Sequence, residues 1–126
     1  MLKSYKNGKN WEDKIIDYYN DKGYFTYKIP TMNAGTVFDI IALHNGAALC
    51  IECKHITGSK LYYESSGLKK KTDEIERFVH KTGNNLYIYV NSDKDGIYWT
   101  TWANSGDLLK SQGYLKTSDM IKATID

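Results

Sequence analysis

The spacing of apolar residues changes period along the chain, and each change predicts an element. Trp11, Ile15, Tyr18 and Tyr19 recur at helical spacing, which predicts a first helix over 8–22, with Asn7 as a cap and Gly23 as the stop. A short strand over 24–29 follows, closed by Pro30, and residues 31–35 read as a loop. Two β-rich apolar runs, 36–43 and 47–55, flank Asn45-Gly46, the strongest local signal for a two-residue hairpin. Beyond a polar loop over 56–67, Leu68, Ile75, Phe78 and Val79 form a helical stripe over 68–81 that ends at Gly83. Strands over 86–91 and 97–102 flank a turn at 93–96, and short helical turns are expected at 105–112 and 118–124. The order of helix, three strands, helix and two strands predicts a mixed α/β domain, a sheet covered by helices.

The central hairpin fixes a register. With Asn45 and Gly46 as the loop, His44 opposes Ala47 and every opposed pair of numbers adds to 91. Asp39 then faces Glu52, and Val37 faces Lys54. Alternation puts Asp39, Glu52 and Lys54 on one face with Val37, Ile41, Leu43, Ala48 and Cys50. The opposite face shows Phe38, Ile40, Ala42, Leu49, Ile51 and Cys53. Strands apolar on both faces are sandwiched between helices, so three charges there are not explained as a solvated face.

Two opposed carboxylates repel unless something positive lies between them. A divalent cation suits that place, because Mg²⁺ is held by one or two carboxylates with water and substrate phosphate completing its shell. Lys54, two residues beyond Glu52 on the same face, can reach the same space to orient water or stabilise charge on phosphorus. Glu12, near the start of the first helix, offers a fourth acidic group. The chemistry this set suits is metal-assisted phosphodiester hydrolysis.

Composition narrows the class further. The chain has 126 residues and 14.5 kDa, 41% hydrophobic with one Pro, which fits one compact domain over 1–126 and excludes a disordered tail. No apolar run approaches the roughly 18 residues of a membrane helix, and the first residues lack a signal peptide's apolar stretch. Two cysteines fit a reducing compartment, so the expectation is a soluble cytoplasmic protein without membrane partners. Net charge is only +2, but residues 54–81 carry seven basic and four acidic side chains, a local +3.

Each candidate also has a plainer reading. Asp39 and Glu52 could be a structural pair, Lys54 their salt-bridge partner, and Glu12 a first-turn acid suited to the helix dipole. Cys50 and Cys53 spell Cys-x-x-Cys, yet on a strand they point to opposite faces and no second pair has metal spacing, so they read as buried thiols. The Lys69-Lys70-Lys71 run opening the second helix reads either as an exposed face or as phosphate contacts, as do Lys6 and Lys9 near the N-terminus. The loop over 57–67, with Tyr62 and Tyr63, is a candidate contact for DNA or a second subunit. His55, at the end of the strand that carries Glu52 and Lys54, reads either as a contact to a phosphate-bearing substrate or, as a lone His, as packing or solvated; His44 and His80 carry no functional expectation.

Asp39, twelve intervening residues and then Glu52-Cys53-Lys54, preceded by Glu12 on a helix, resembles the PD-(D/E)xK nuclease superfamily. Within it the chain is similar to the archaeal-type Holliday-junction resolvases and their phage and bacterial relatives. The likeness spans residues 6–92: Lys-Asn-Gly-Lys-Asn-Trp-Glu at the start, Lys-Gly-Tyr after the helix, then Lys-Ile-Pro, Asp-Ile-Ile-Ala-Leu and Ile-Glu-Cys-Lys. Phe38 stands where the superfamily's name has a proline.

The resemblance implies a restriction-endonuclease-like α-β-β-β-α-β core, with a mixed central sheet flanked by helices. It further implies a homodimer that nicks two opposed strands of a four-way junction with Mg²⁺, for which Mn²⁺ can substitute. Glu12, Asp39 and Glu52 would be metal ligands, and these three with Lys54 the catalytic set. Junction preference comes from this likeness alone. The alternatives are a restriction- or repair-type nuclease acting on linear DNA and a catalytically inactive DNA-binding module.

Overall fold

The computed structural model describes residues 8–30 and 36–125. Its elements run α1 (Gly8–Asp21), β1 (Phe25–Lys28), β2 (Ile40–His44), β3 (Ala47–Ile56), β4 (Lys60–Tyr62), α2 (Leu68–Thr82), β5 (Leu86–Ser92), β6 (Gly96–Thr101), α3 (Trp102–Gln112), β7 (Tyr114–Lys116) and β8 (Ile121–Lys122). The main sheet has the order β1-β2-β3-β5-β6-β8, and β4 and β7 form a second, two-stranded sheet. β3 and β5 are parallel, with α2 crossing between them; their sheet neighbours pair antiparallel. The α1-β1-β2-β3-α2-β5 series is the core the sequence predicts.

The hairpin register holds. Ile40 pairs with Ile51 and His44 with Ala47, and Asn45 and Gly46 take positive φ of 49° and 82°, the left-handed conformations of a type I′ turn. β3 is the central strand of the fold, buried from Cys50 to Cys53. On one face Ile40, Ala42, Ile51, Cys53 and Tyr89 pack under Trp11, Ile15 and Tyr19 of α1. On the other, Ile88 and Val90 of β5 pack with Leu68 and Ile75 of α2, Trp102 and Leu109 of α3, and Leu61 and Leu115 of the small sheet.

Four expectations change. β2 starts at Ile40, not residue 36, so neither Val37 with Lys54 nor Asp39 with Glu52 is paired in the ladder; Val37 and Phe38 instead pack against the core beneath α2. The polar stretch over 56–67 contains β4, which pairs with β7. Trp102 opens a helix rather than closing a strand, because the Thr101 hydroxyl accepts from the Asn104 amide and caps α3. Residues 118–124 form no helical turn; a single 3₁₀ turn at Thr117–Asp119 leads into β8, which pairs with β6. Asn7 and the loop over 31–35 lie outside the described residues. Among the described residues no helix is long and apolar enough to cross a membrane.

Candidate active site

Glu52 is the centre of the acidic set. Strand alternation turns it toward α2, beside Ile88 of β5, and leaves it 2% exposed. A buried carboxylate needs partners, and Glu52 has two on one oxygen: Oε2 lies 2.6 Å from Lys71 Nζ and 3.2 Å from Lys54 Nζ. Its other oxygen, Oε1, is buried and has no hydrogen-bond partner among the described residues. Burial, and then the charge of Asp39, raise the Glu52 pKa, while Lys54 and Lys71 pull it down.

Asp39 sits one step before β2, at the margin of the β2–β3 ladder. Its backbone amide donates to Ile51 O at 2.8 Å, and the Cys53 amide donates to its Oδ2 at 2.8 Å. The carboxylate is therefore tied to the backbone of the strand that carries Glu52 and Lys54, from the bend that leads into β2.

Glu12 approaches from the α1 side. Beside it Trp11 is fully buried, its Nε1 donating to Tyr89 O at 3.2 Å, which pins the first turns of the helix to the sheet. The Glu12 carboxylate lies 3.5 Å from Lys28 Nζ at the end of β1. Its pKa is raised by burial first and by Asp39 next, with Lys28 opposing. Asp39 thus couples electrostatically to both glutamates.

The described residues do not form a ready-made cage, for no three His, Cys, Asp or Glu side chains among them are grouped to hold a metal ion. Glu12 is engaged by Lys28, and Glu52 Oε2 by the two lysines. What fits a divalent cation is the partnerless Oε1 of Glu52, with Asp39 close enough to raise the Glu52 pKa. A hard cation held by one or two carboxylates asks for no more from the protein.

The lysines of α2 divide. Lys69 and Lys70 are exposed, whereas Lys71 turns inward and donates to both Glu52 Oε2 and Thr36 O, the latter at 3.0 Å. Lys54 also donates to Ser66 O at 2.6 Å, which fixes its ammonium between Glu52 and the segment before α2. Lys6 lies outside the described residues, and the side chain of Lys9 is not among those described. Sequence reasoning missed Lys28 and the inward role of Lys71. The signal for the latter was present, since Lys71 falls three residues after Leu68 and four before Ile75, on the flank of the stripe α2 buries. The Cys53 thiol, buried under α1, is held well above its ordinary pKa by burial, as befits an inert packing residue.

Comparison with known proteins brings these observations together. No curated protein matches the sequence. Among solved structures, that of Hjc from Archaeoglobus fulgidus, a Holliday junction resolvase from an archaeal hyperthermophile, shares the fold with a TM-score of 0.68. It is 15% identical, over 91% of this chain and 95% of that chain. The family model of the archaeal Holliday junction resolvases (Hjc) matches residues 3–123. The chain belongs to the archaeal Holliday junction resolvase family, and is an endonuclease of that family.

Proposed function

We propose that this resolvase cuts four-way junctions by paired nicks as a homodimer, using Mg²⁺ held by Asp39 and Glu52 with Glu12 as a further ligand. The observation that carries the metal reading is the buried Oε1 of Glu52, without a hydrogen-bond partner among the described residues, whose carboxyl feels the charge of Asp39. An ionised carboxylate oxygen without a donor is costly, and a cation is the partner this place suits. Mg²⁺ bound there would polarise a phosphate oxygen and lower the pKa of its water, and Mn²⁺ would serve in its place.

The chain's own residues supply the rest. Lys71 holds Glu52 by its Oε2 and leaves Oε1 for the cation. Lys54, anchored by Ser66 O, keeps an ammonium beside the same carboxylate, where it can contact the phosphate or the attacking water. Asp39, fixed by the Cys53 amide, supplies the second carboxylate, and Glu12, here paired with Lys28, would have to leave that partner to act as a ligand. Lys6, Lys9, Lys69 and Lys70 are candidates for phosphate contacts, while Lys71 acts inside the site.

The test compares a four-way junction with a linear duplex of the same sequence, with Mg²⁺ and without. Symmetric nicks on two opposed strands, absent without the metal and reduced roughly 10²-fold or more in Asp39→Asn, are expected. Preferential cutting of the duplex would replace the junction reading by that of a linear-DNA nuclease. Cutting indifferent to Asp39→Asn would remove the site.

A further inference from the structure

A cavity of about 700 Å³ opens beside Lys54, away from the carboxylates. We propose that it binds the DNA backbone next to the scissile phosphate, with Lys60 and Lys94 as phosphate contacts; this rests on the nuclease reading of the Lys54 site. Two independent observations carry it, one chemical and one topological.

The lining is cationic and hydroxylic. Lys54, Lys60 and Lys94 contribute three ammoniums, Thr57, Ser65 and Ser66 contribute hydroxyls, and among the described residues no Asp or Glu lines the cavity. Of the carboxylates next to lining residues in sequence, Asp93 is paired with His55 at 2.8 Å, Asp95 accepts from Thr117 at 2.7 Å, and Glu64 is exposed. Asp95 is held below the usual carboxylate range by the hydroxyls of Thr117 and Ser59. Lys60 stands over the Tyr114 ring, 4.6 Å from its centroid, which restrains a side chain that would otherwise be free. A polyanion without base-specific demands matches such a surface, since backbone contacts come chiefly from lysine, hydroxyl and amide donors.

The position is that of a ligand site in an α/β sheet. β3 and β5 are the parallel pair, and the cavity lies at their carboxyl ends, lined by Ile56 at the end of β3, by Thr57 after it and by Lys94 after β5. Ligands of open α/β sheets bind in that crevice. Lys54 belongs both to the cavity wall and to the Glu52 ion pair, so a strand lying in the cavity leads directly to the reacting centre. β4, unforeseen in the sequence, is what builds the far wall and places Lys60 there.

The experiment measures binding of a four-way junction and of a linear duplex, without divalent cation so that nothing is cut, across a salt series. For Lys60→Gln with Lys94→Gln, affinity is expected to fall about tenfold or more, and the log–log salt slope to become shallower by about 2, close to one per lysine. Arginine at both positions should restore the slope. Lys22→Gln, at the hairpin end of the sheet, should leave it unchanged; an equal change there would reduce the effect to net charge and overturn the proposal.

Ser65→Asp places a carboxylate in the wall without removing a lysine. It should weaken binding in the same direction, and decides the matter if the double variant does not fold. An unchanged slope in a folded double variant, or unchanged affinity in Ser65→Asp, overturns the cavity. Preference of the wild-type enzyme for cutting the linear duplex would instead overturn the junction reading, and the cavity would then be judged on the slope measured with the duplex.

Discussion

Glu52 is a carboxylate whose two oxygens live differently, and most of the site's chemistry follows. Oε2 is shared by two ammoniums; Oε1 is buried, with no donor among the described residues. Because burial and Asp39 raise its pKa, the folded chain binds a proton there more tightly than the unfolded chain does. Between the ordinary glutamate value and the raised one, this group's contribution to stability therefore falls as pH rises. A divalent cation should reverse the trend, since it binds the ionised form and competes with the proton. Thermal unfolding of wild type and Glu52→Gln from about pH 4 to 8, with and without Mg²⁺, checks this. The difference between the two proteins should shift against wild type with rising pH and be recovered by Mg²⁺, and parallel curves would refute it. Lys71 gives a second contrast at the same scale. Lys71→Met removes a charge-assisted bond to Glu52 and should cost about 1–3 kcal/mol. Lys70→Met, on the exposed side of the same turn, should stay within about 0.5 kcal/mol in urea unfolding.

Among the elements, α1 and the β2–β3 hairpin do the positioning. Trp11 is the contact through which α1 holds Glu12 over the sheet, by burial and by its bond to Tyr89 O. Trp11→Phe keeps an aromatic ring but deletes the donor, leaving a β5 carbonyl short of a partner; a loss of about 1–2 kcal/mol is expected, read from the denaturation midpoint. These elements were legible because their cues are local. Asn45-Gly46 specifies the turn, the turn specifies the register, and the register places Glu52 and Lys54 on one face. What the sequence did not show depends on distant partners. Thr36, Val37 and Phe38 have β-like character, but packing under α2, with Phe38 against Phe78, takes them out of the strand. β4 and β7 are three residues each, and Leu61 stands 54 positions from its partner Leu115 in the chain, too short and too remote for periodicity to detect. Asp39 was expected to pair with Glu52 yet lies just before the strand, and its bond to the Cys53 amide was invisible, since a carboxylate's choice between backbone and facing side chain depends on where the strand starts. The pull of Lys28 on Glu12 likewise joins two elements that no local pattern connects.

At the scale of the whole molecule, one chain presents one such site, whereas a four-way junction has two equivalent strands to be cut. Two sites related by a two-fold axis meet that demand, which is the physical case for a homodimer. The consequence is kinetic as well as structural. If both nicks belong to one bound dimer, a supercoiled plasmid carrying an extruded cruciform should pass to linear product with little nicked circle accumulating, because the second cut follows before the complex dissociates. Heterodimers of wild type with Asp39→Asn, isolated by two affinity tags, retain one working site on an intact binding surface. They should stop at nicked circle, at a first-cut rate within roughly twofold of the statistical half. Sedimentation of the wild-type enzyme should give a mass of two chains in the concentration range where cutting is seen. A monomeric mass there, or heterodimers that yield linear plasmid as fast as the wild type, would mean that the two cuts are made by independent encounters, and that the two-fold substrate is met without a two-fold enzyme.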